Sequence, residues 1–144
     1  MDEITLRSAV YKGTKDFTLQ DVPAAKATGF NAAADDYMER GIDLNEQLIK
    51  NKPATYFFRM HGNAMIDAGI HPGDILIVDR SLPAVSGKII VAALDGELVV
   101  RRYQQQMNNT SLLAENSRYG AIQVNELTNF RAWGVVTYVI HTIS

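Results

Sequence analysis

The alternation of apolar and polar positions from residue 55 onward predicts a series of short β-strands. β-Branched and aromatic residues gather in short runs, and turn residues such as Pro72-Gly73 and Ser86-Gly87 separate the runs. Only residues 42–50 and a turn near 64–68 show a helical pattern. The predicted strands cover 55–60, 74–79, 88–94, 97–103, 111–114, 121–124 and 130–142.

A hairpin is predicted where Asp95-Gly96 joins two β-branched runs, since this dipeptide favours a two-residue turn. In that register Leu94 faces Glu97, and further along the hairpin Arg101 faces Ile90. Because side chains alternate between the two faces of a strand, Arg101 and Arg102 point in opposite directions. One arginine therefore lies in an apolar setting, and a buried charge needs a partner or a function.

Residues 42–50 are predicted to form a short helix. Asp43 is a suitable N-cap, and Glu46 three residues later completes a sequence similar to a capping box. The predicted buried stripe consists of Leu44, Leu48 and Ile49.

The chain is interpreted as an N-terminal arm, residues 1–41, followed by a β domain, residues 42–144. Apolar residues are scattered through the arm, and Gly13, Pro23 and Gly29 interrupt any long period. The segments 6–11 and 17–22 are each suited to adding a strand to another sheet. We expect the arm to dock on the domain, to dock on a partner, or to be mobile.

Composition narrows the possible functions. The 144 residues include 14 Lys and Arg, 16 Asp and Glu, and no cysteine. The absence of cysteine excludes disulfides, a thiol nucleophile and thiolate metal sites. The formal charge of −2 argues against strong direct DNA binding through broad phosphate neutralisation. Without a membrane-length apolar run or a signal-peptide pattern, the expected location is the cytoplasm, with no membrane partner.

Neither a cofactor nor a metal site is predicted. The histidines lack close ligand spacing, and three aspartates at turns and strand ends are expected to be solvated. Trp133 and Phe130 are expected in the core or at a dimer seam. The histidines are His61, His71 and His141, and the aspartates are Asp67, Asp74 and Asp79.

Several motifs in order resemble the LexA/UmuD-like S24 family, the self-cleaving Ser-Lys peptidases of the bacterial DNA-damage response. The resemblance runs from about residue 28 to the C-terminus and is closest to the UmuD-like branch. The motifs shared with the whole family are 61–70, 72–74, 78–79, Gly87 and 95–102, and those shared with the UmuD-like branch are 34–39, 42–45, 54–57 and 134–136.

The resemblance implies a mainly β fold, a partly open barrel like that of LexA and signal peptidase, with one short helix and an extended N-terminal arm. It implies a homodimer. In the family, a serine attacks a peptide bond before a glycine in the arm, and a lysine accepts the serine's proton. In UmuD-like proteins a recombinase filament on single-stranded DNA promotes the cut, and the shortened dimer joins a Y-family translesion polymerase.

Both dyad positions are substituted in this chain. The family's serine falls on Ala64, its lysine falls on Arg101, and the scissile bond falls on Thr28-Gly29. Alanine has no oxygen for an acyl-enzyme, and arginine cannot be deprotonated in proteins. The expectation is a peptidase fold without self-cleavage, whether the substitutions are natural or engineered.

Three functions follow as hypotheses. The first is an accessory subunit of an error-prone Y-family polymerase in SOS mutagenesis. The second is a regulatory pseudo-peptidase that forms mixed dimers with an active LexA/UmuD-type homologue. The third is an active self-cleaving peptidase, captured with substituted dyad residues or using another serine: Ser81, Ser86, Ser111 or Ser117.

Arg101 itself has three possible roles. It is suited to holding the docked arm or to pairing with Asp67 or Asp79, and from a strand end it is also able to reach solvent.

Overall fold

The computed structural model describes residues 3–8 and 43–143. The chain divides into two compact units: residues 3–8 and 51–143 are the described part of the first, and 43–50 are the described part of the second. Within these residues, no helix has both the length and the apolar character that crossing a membrane requires.

The second unit contains helix α1, Leu44–Leu48. Asp43 caps it as predicted, its carboxylate accepting the backbone N–H groups of Asn45 at 3.0 Å and Glu46 at 3.4 Å. The helix is shorter than the predicted 42–50, and the predicted buried stripe is wrong at Leu44, which is 59% exposed. Five residues make less than two turns, so a periodic stripe does not develop.

The first unit is one antiparallel sheet. Its strands are β1 (Ile4–Ser8), β2 (Thr55–Met60), β3 (Ile75–Asp79), β4 (Ile89–Leu94), β5 (Glu97–Gln106), β6 (Asn109–Leu113), β7 (Ile122–Val124) and β8 (Phe130–Ile140). Their order is β1-β2-β3-β8-β4-β5-β6-β7. Short 3₁₀ helices at Lys52–Ala54 and Ile66–Ala68 lie between strands.

The sheet curls into a half-barrel, which confirms the predicted mainly β, LexA/UmuD-like fold. The predicted hairpin register is also confirmed, since Leu94 pairs with Glu97 and Ile90 with Arg101. Asp95 and the glycine after it both have positive φ, 49° and 89°, as the tight hairpin turn requires.

The larger core cluster is built mainly from β2, β3, β4 and β5 and includes Phe58, Met60, Leu76 and Val100. Trp133 packs against it as expected, edge-on to Tyr56 and Phe58 with ring centroids 5.0 and 5.1 Å away.

β1 forms one edge of the sheet and pairs antiparallel with β2, Ile4 facing Met60. The strand begins before the predicted segment 6–11 and ends at Ser8, and residues 9–11 lie outside the described residues. The predicted strand at 17–22, the bond Thr28-Gly29 and the boundary between residues 41 and 42 also lie outside them.

Candidate functional site

Ala64, the predicted nucleophile position, lies in the turn after β2 and is fully buried. Its carbonyl accepts the backbone N–H of Glu115 at 2.8 Å, and the carbonyl of Glu115 accepts the N–H of Asp67 at 2.8 Å. The neighbouring Asn63 is held from the same segment, because its carbonyl accepts the Asn116 amide at 2.7 Å. The 115–116 segment thus fixes the backbone on both sides of position 64.

Arg101, the predicted base position, lies in β5 and is 6% exposed. Its Nη1 donates to Glu3 Oε1 at 2.9 Å and Oε2 at 2.7 Å, and to the Val100 carbonyl at 2.8 Å. Glu3 Oε2 also accepts the backbone N–H of Val100 at 2.7 Å. The guanidinium therefore carries a permanent charge that a nearly buried carboxylate neutralises.

Glu3 contacts both the turn that carries Ala64 and the strand that carries Arg101. Its backbone carbonyl accepts the N–H groups of His61 at 2.7 Å and Gly62 at 3.2 Å, while its side chain reaches Arg101. A Cβ on Gly62 would lie 2.9 Å from Glu3 Cγ, so the glycine permits this close approach.

Tyr119 also joins the two segments. Its hydroxyl lies 2.6 Å from Asn63 Oδ1, and its ring centroid lies 5.5 Å from the Arg101 guanidinium. Through Glu3 and Tyr119, the turn that carries Ala64 and the strand that carries Arg101 border one polar cluster.

Chemically, this cluster is a carboxylate-binding arrangement. It offers a buried guanidinium and a backbone N–H to one carboxylate, the kind of charge-assisted contact that fixes geometry. The chain's own Glu3 fills it, which agrees with the expectation that Arg101 holds part of the arm. Position 64 is alanine, so its side chain is a methyl group without a hydroxyl.

Other predicted partners of Arg101 have different contacts. Asp79 Oδ1 accepts the N–H and the hydroxyl of Ser81 at 2.7 and 2.5 Å, and Asp67 is exposed. Arg102, on the opposite face, pairs with Glu115 at 2.9 Å.

The expectation that Asp74 and Asp79 are solvated is wrong, because they are only 1% and 6% exposed. Each carboxylate accepts a backbone N–H from its own turn, from His71 at 2.8 Å and from Ser81 at 2.7 Å. These bonds compensate for burial.

The alternative serine nucleophiles lie in different surroundings. Ser86 Oγ accepts the N–H of Gln105, Ser111 Oγ donates to Gln123, and Ser117 is exposed. Among residues 3–8 and 43–143, no lysine or histidine is hydrogen-bonded to any of the four predicted serines, so none has the partner of a Ser-Lys or Ser-His pair. Ser81 alone of the four has a carboxylate partner in the described residues, since its hydroxyl donates to Asp79.

One cluster was missed by sequence reasoning: His71, Asp74 and His141 lie together. His71 and Asp74 share one turn, but His141 is 67 residues from Asp74, and only the pairing of β3 with β8 brings it to them. Ile75 pairs with Ile140, so Asp74 and His141 lie opposite each other one residue further on. Only the strand order, which places β3 beside β8, would have indicated this cluster.

The curled, mainly β sheet has the LexA/UmuD-like fold. The family model described as Peptidase S24-like matches residues 21–137, and the chain belongs to that family.

Among its relatives, protein SamA of Salmonella typhimurium is 39% identical over 113 residues, covering 78% of each chain. Protein MucA of Escherichia coli is 35% identical over 123 residues, covering 85% of this chain and 81% of MucA. The LexA repressor of Bordetella parapertussis is 34% identical over 116 residues, covering 81% of this chain and 53% of the repressor.

Proposed function

We propose that this chain is a UmuD-like accessory subunit of an error-prone translesion polymerase, working in SOS mutagenesis by contact and without cutting itself. It would act as a homodimer that binds a Y-family polymerase and a recombinase filament on single-stranded DNA. Membership of the S24 family and the extended similarity to MucA and SamA support the UmuD-like assignment.

The observation that carries the proposed loss of cleavage is the Glu3–Arg101 pair. A self-cleaving relative needs a hydroxyl at position 64 and a neutral amine at position 101. Here position 64 is alanine, and position 101 is a guanidinium bound by two carboxylate contacts of 2.7 and 2.9 Å. An arginine so paired is a fixed cation and cannot accept a proton.

A restoration series tests this chemistry. Ala64→Ser alone should leave the chain intact at alkaline pH, because the new hydroxyl has no base. Ala64→Ser with Arg101→Lys should give slow cutting before Gly29, since the Glu3 carboxylate favours the charged ammonium, which cannot act as base. Adding Glu3→Gln should increase the cutting rate by about tenfold or more, as measured by mass spectrometry of the fragment that starts at Gly29.

The matched control is Ala64→Ser with Arg102→Lys, which makes the same exchange on the other face of β5 and should not cut. Cutting by Ala64→Ser alone would contradict the proposed obstacle at Arg101. Cutting by the unaltered chain would contradict the whole non-cleaving proposal.

Association is the second test. The tagged, unaltered chain should elute as a dimer by light scattering and should retain a Y-family polymerase or a recombinase filament formed on single-stranded DNA. A control without DNA separates filament binding from binding to free recombinase. Retention of neither partner would contradict the accessory-subunit role.

Native mass spectrometry distinguishes the regulatory alternative from the accessory-subunit role. In that case the chain would form mixed dimers with an intact LexA/UmuD-type homologue and slow that homologue's cutting, whereas the accessory role requires polymerase binding by the homodimer. Mixed dimers without polymerase binding would replace the first proposal with the second.

A further inference from the structure

A second polar cluster, which shares no residue with the one around Glu3 and Arg101, lies where the turn before β3 meets the residue after β8. It contains His71, Asp74 and His141, whose ligand-type atoms all lie within 4.8 Å of one another. Asp74 is 1% exposed, whereas the side chains of His71 and His141 are 43% and 50% exposed. A buried carboxylate therefore has two imidazoles on its solvent side.

The turn that holds Asp74 is rigidly connected to β2. The Asp74 carbonyl accepts the Met60 N–H at 2.8 Å, the Met60 carbonyl accepts the Gly73 N–H at 2.7 Å, and the Asp74 N–H donates to His71 at 3.0 Å. Gly73 adopts φ 97°, which the turn requires. The carboxylate position is thus set by backbone bonds before any ligand binds.

Two distances describe how closely the ligand-type atoms approach one another. His141 Nδ1 lies 2.5 Å from Asp74 Oδ1, and His71 Nδ1 lies 3.8 Å from Asp74 Oδ2. Tetrahedral Zn²⁺, with bonds of about 2.0–2.2 Å, places its ligand atoms about 3.3 Å apart. One distance is shorter than that value and the other is longer, so both imidazoles would have to shift to bind one ion, and the side chain of each is about half exposed.

An unsatisfied atom also points to a ligand. His71 Nδ1 is buried and has no hydrogen-bond partner within the part of the chain that the structure describes. A buried polar atom without a partner costs free energy, and a metal bond would remove that cost. The same nitrogen faces the Asp74 carboxylate, whose charge favours a cation.

We propose that His71, Asp74 and His141 bind one Zn²⁺ ion, with solvent completing the coordination. Two imidazoles and one carboxylate are a ligand set that suits zinc and other divalent transition metals better than Mg²⁺. The ion would connect the end of β8 to the turn between β2 and β3 and so stabilise the folded chain. This proposal does not depend on the polymerase-subunit role.

The test is a titration of the metal-free chain with ZnCl₂, followed by calorimetry, and a parallel titration with Co²⁺ followed by its visible absorption. We expect one saturable site per chain. His71→Ala and His141→Ala should each weaken Zn²⁺ binding by at least about tenfold. MgCl₂ should not compete.

His61→Ala is the matched control, because His61 is a histidine of the same unit that contacts Thr5 at 2.6 Å and lies outside the cluster. It should bind Zn²⁺ as the unaltered chain does. Circular dichroism of each variant checks folding, and His71→Gln and His141→Gln replace any alanine variant that fails to fold.

Thermal denaturation gives an independent readout, since a ligand that binds only the folded state raises Tm. Zn²⁺ should raise Tm for the unaltered chain and the His61 variant, and not for the His71 or His141 variants. The proposal is overturned by the lack of a saturable site, or by equal Zn²⁺ affinity in all three histidine variants. Either result would leave the cluster as a hydrogen-bonded Asp–His contact only.

Discussion

At the scale of single residues, the environment of Arg101 decides what position 101 is able to do. Its side chain is 7% exposed, and that of Glu3 is 14% exposed. Bringing a charge out of water is costly, so removing one partner of such a pair leaves an uncompensated buried charge. By comparison, Arg102 and Glu115 are each about one-third exposed and lie in a better-solvated setting.

A double-mutant cycle measures this difference. Glu3→Gln and Arg101→Gln should each lower the free energy of unfolding by about 3 kcal/mol, with a coupling free energy of about 1–3 kcal/mol between them. The matched cycle on Arg102 and Glu115 should give a coupling below about 1 kcal/mol, as exposed pairs do. Urea denaturation supplies all the values, and equal coupling in the two cycles would contradict the buried-pair interpretation.

The alternation along the strand predicted that one of the adjacent arginines lies in an apolar setting and needs a partner or a function, and the hairpin register placed Arg101 opposite Ile90. The sequence could not identify that partner, because Glu3 lies 98 residues away. The metal-type cluster was missed for the same reason, since Asp74 and His141 are 67 residues apart. Local patterns carry information about burial, whereas contacts between distant segments depend on the order of the strands.

At the scale of elements, β8 is the strand that joins the two halves of the sheet. It pairs with β3 on one side and β4 on the other, with a register shift in each ladder. Gly134 lies between these shifts, and a Cβ there would lie 2.7 Å from Val78 Cγ1 and 3.3 Å from the Asp79 carbonyl. The close approach of β3 and β8 therefore depends on the absence of a side chain.

Gly134→Ala should lower the free energy of unfolding by about 1–3 kcal/mol, because the new methyl group overpacks the contact with Val78. Gly120→Ala is the matched control, since nothing lies within 4 Å of a Cβ at that position, and its effect should stay within about 0.5 kcal/mol. Chemical denaturation compares the two. Equal effects would show that the β3–β8 contact is not tight.

Strand prediction worked best where turn chemistry and alternation agree. The predicted segment 55–60 is β2 as observed, and the Asp95-Gly96 hairpin has the predicted pairing. Strand ends were less accurate: β5 continues to Gln106 beyond the predicted 103, because β6 remains available as a pairing partner. The length of the helix predicted at 42–50 was overestimated, since its apolar residues do not share one buried face.

At the scale of the whole molecule, the half-barrel was expected from the family resemblance and not from local patterns. Periodicity identifies strands but does not place β8 between β3 and β4. Likewise, the apolar positions of residues 3–8 do not specify a partner strand, so the pairing of this segment with β2 does not follow from its sequence alone.

The position of β1 has a consequence for any chain of this kind that is cut at Thr28-Gly29. The released N-terminal peptide would include β1 and Glu3, which the backbone ladder to β2 and the contacts to Val100 and Arg101 hold in place. Proteolysis would then convert an intramolecular strand into a bound peptide ligand, and its dissociation would become a separate, concentration-dependent step. While the peptide stays bound, a nicked protein of this type would keep its native mass in solution, apart from the added water, and would reveal the broken bond only after denaturation.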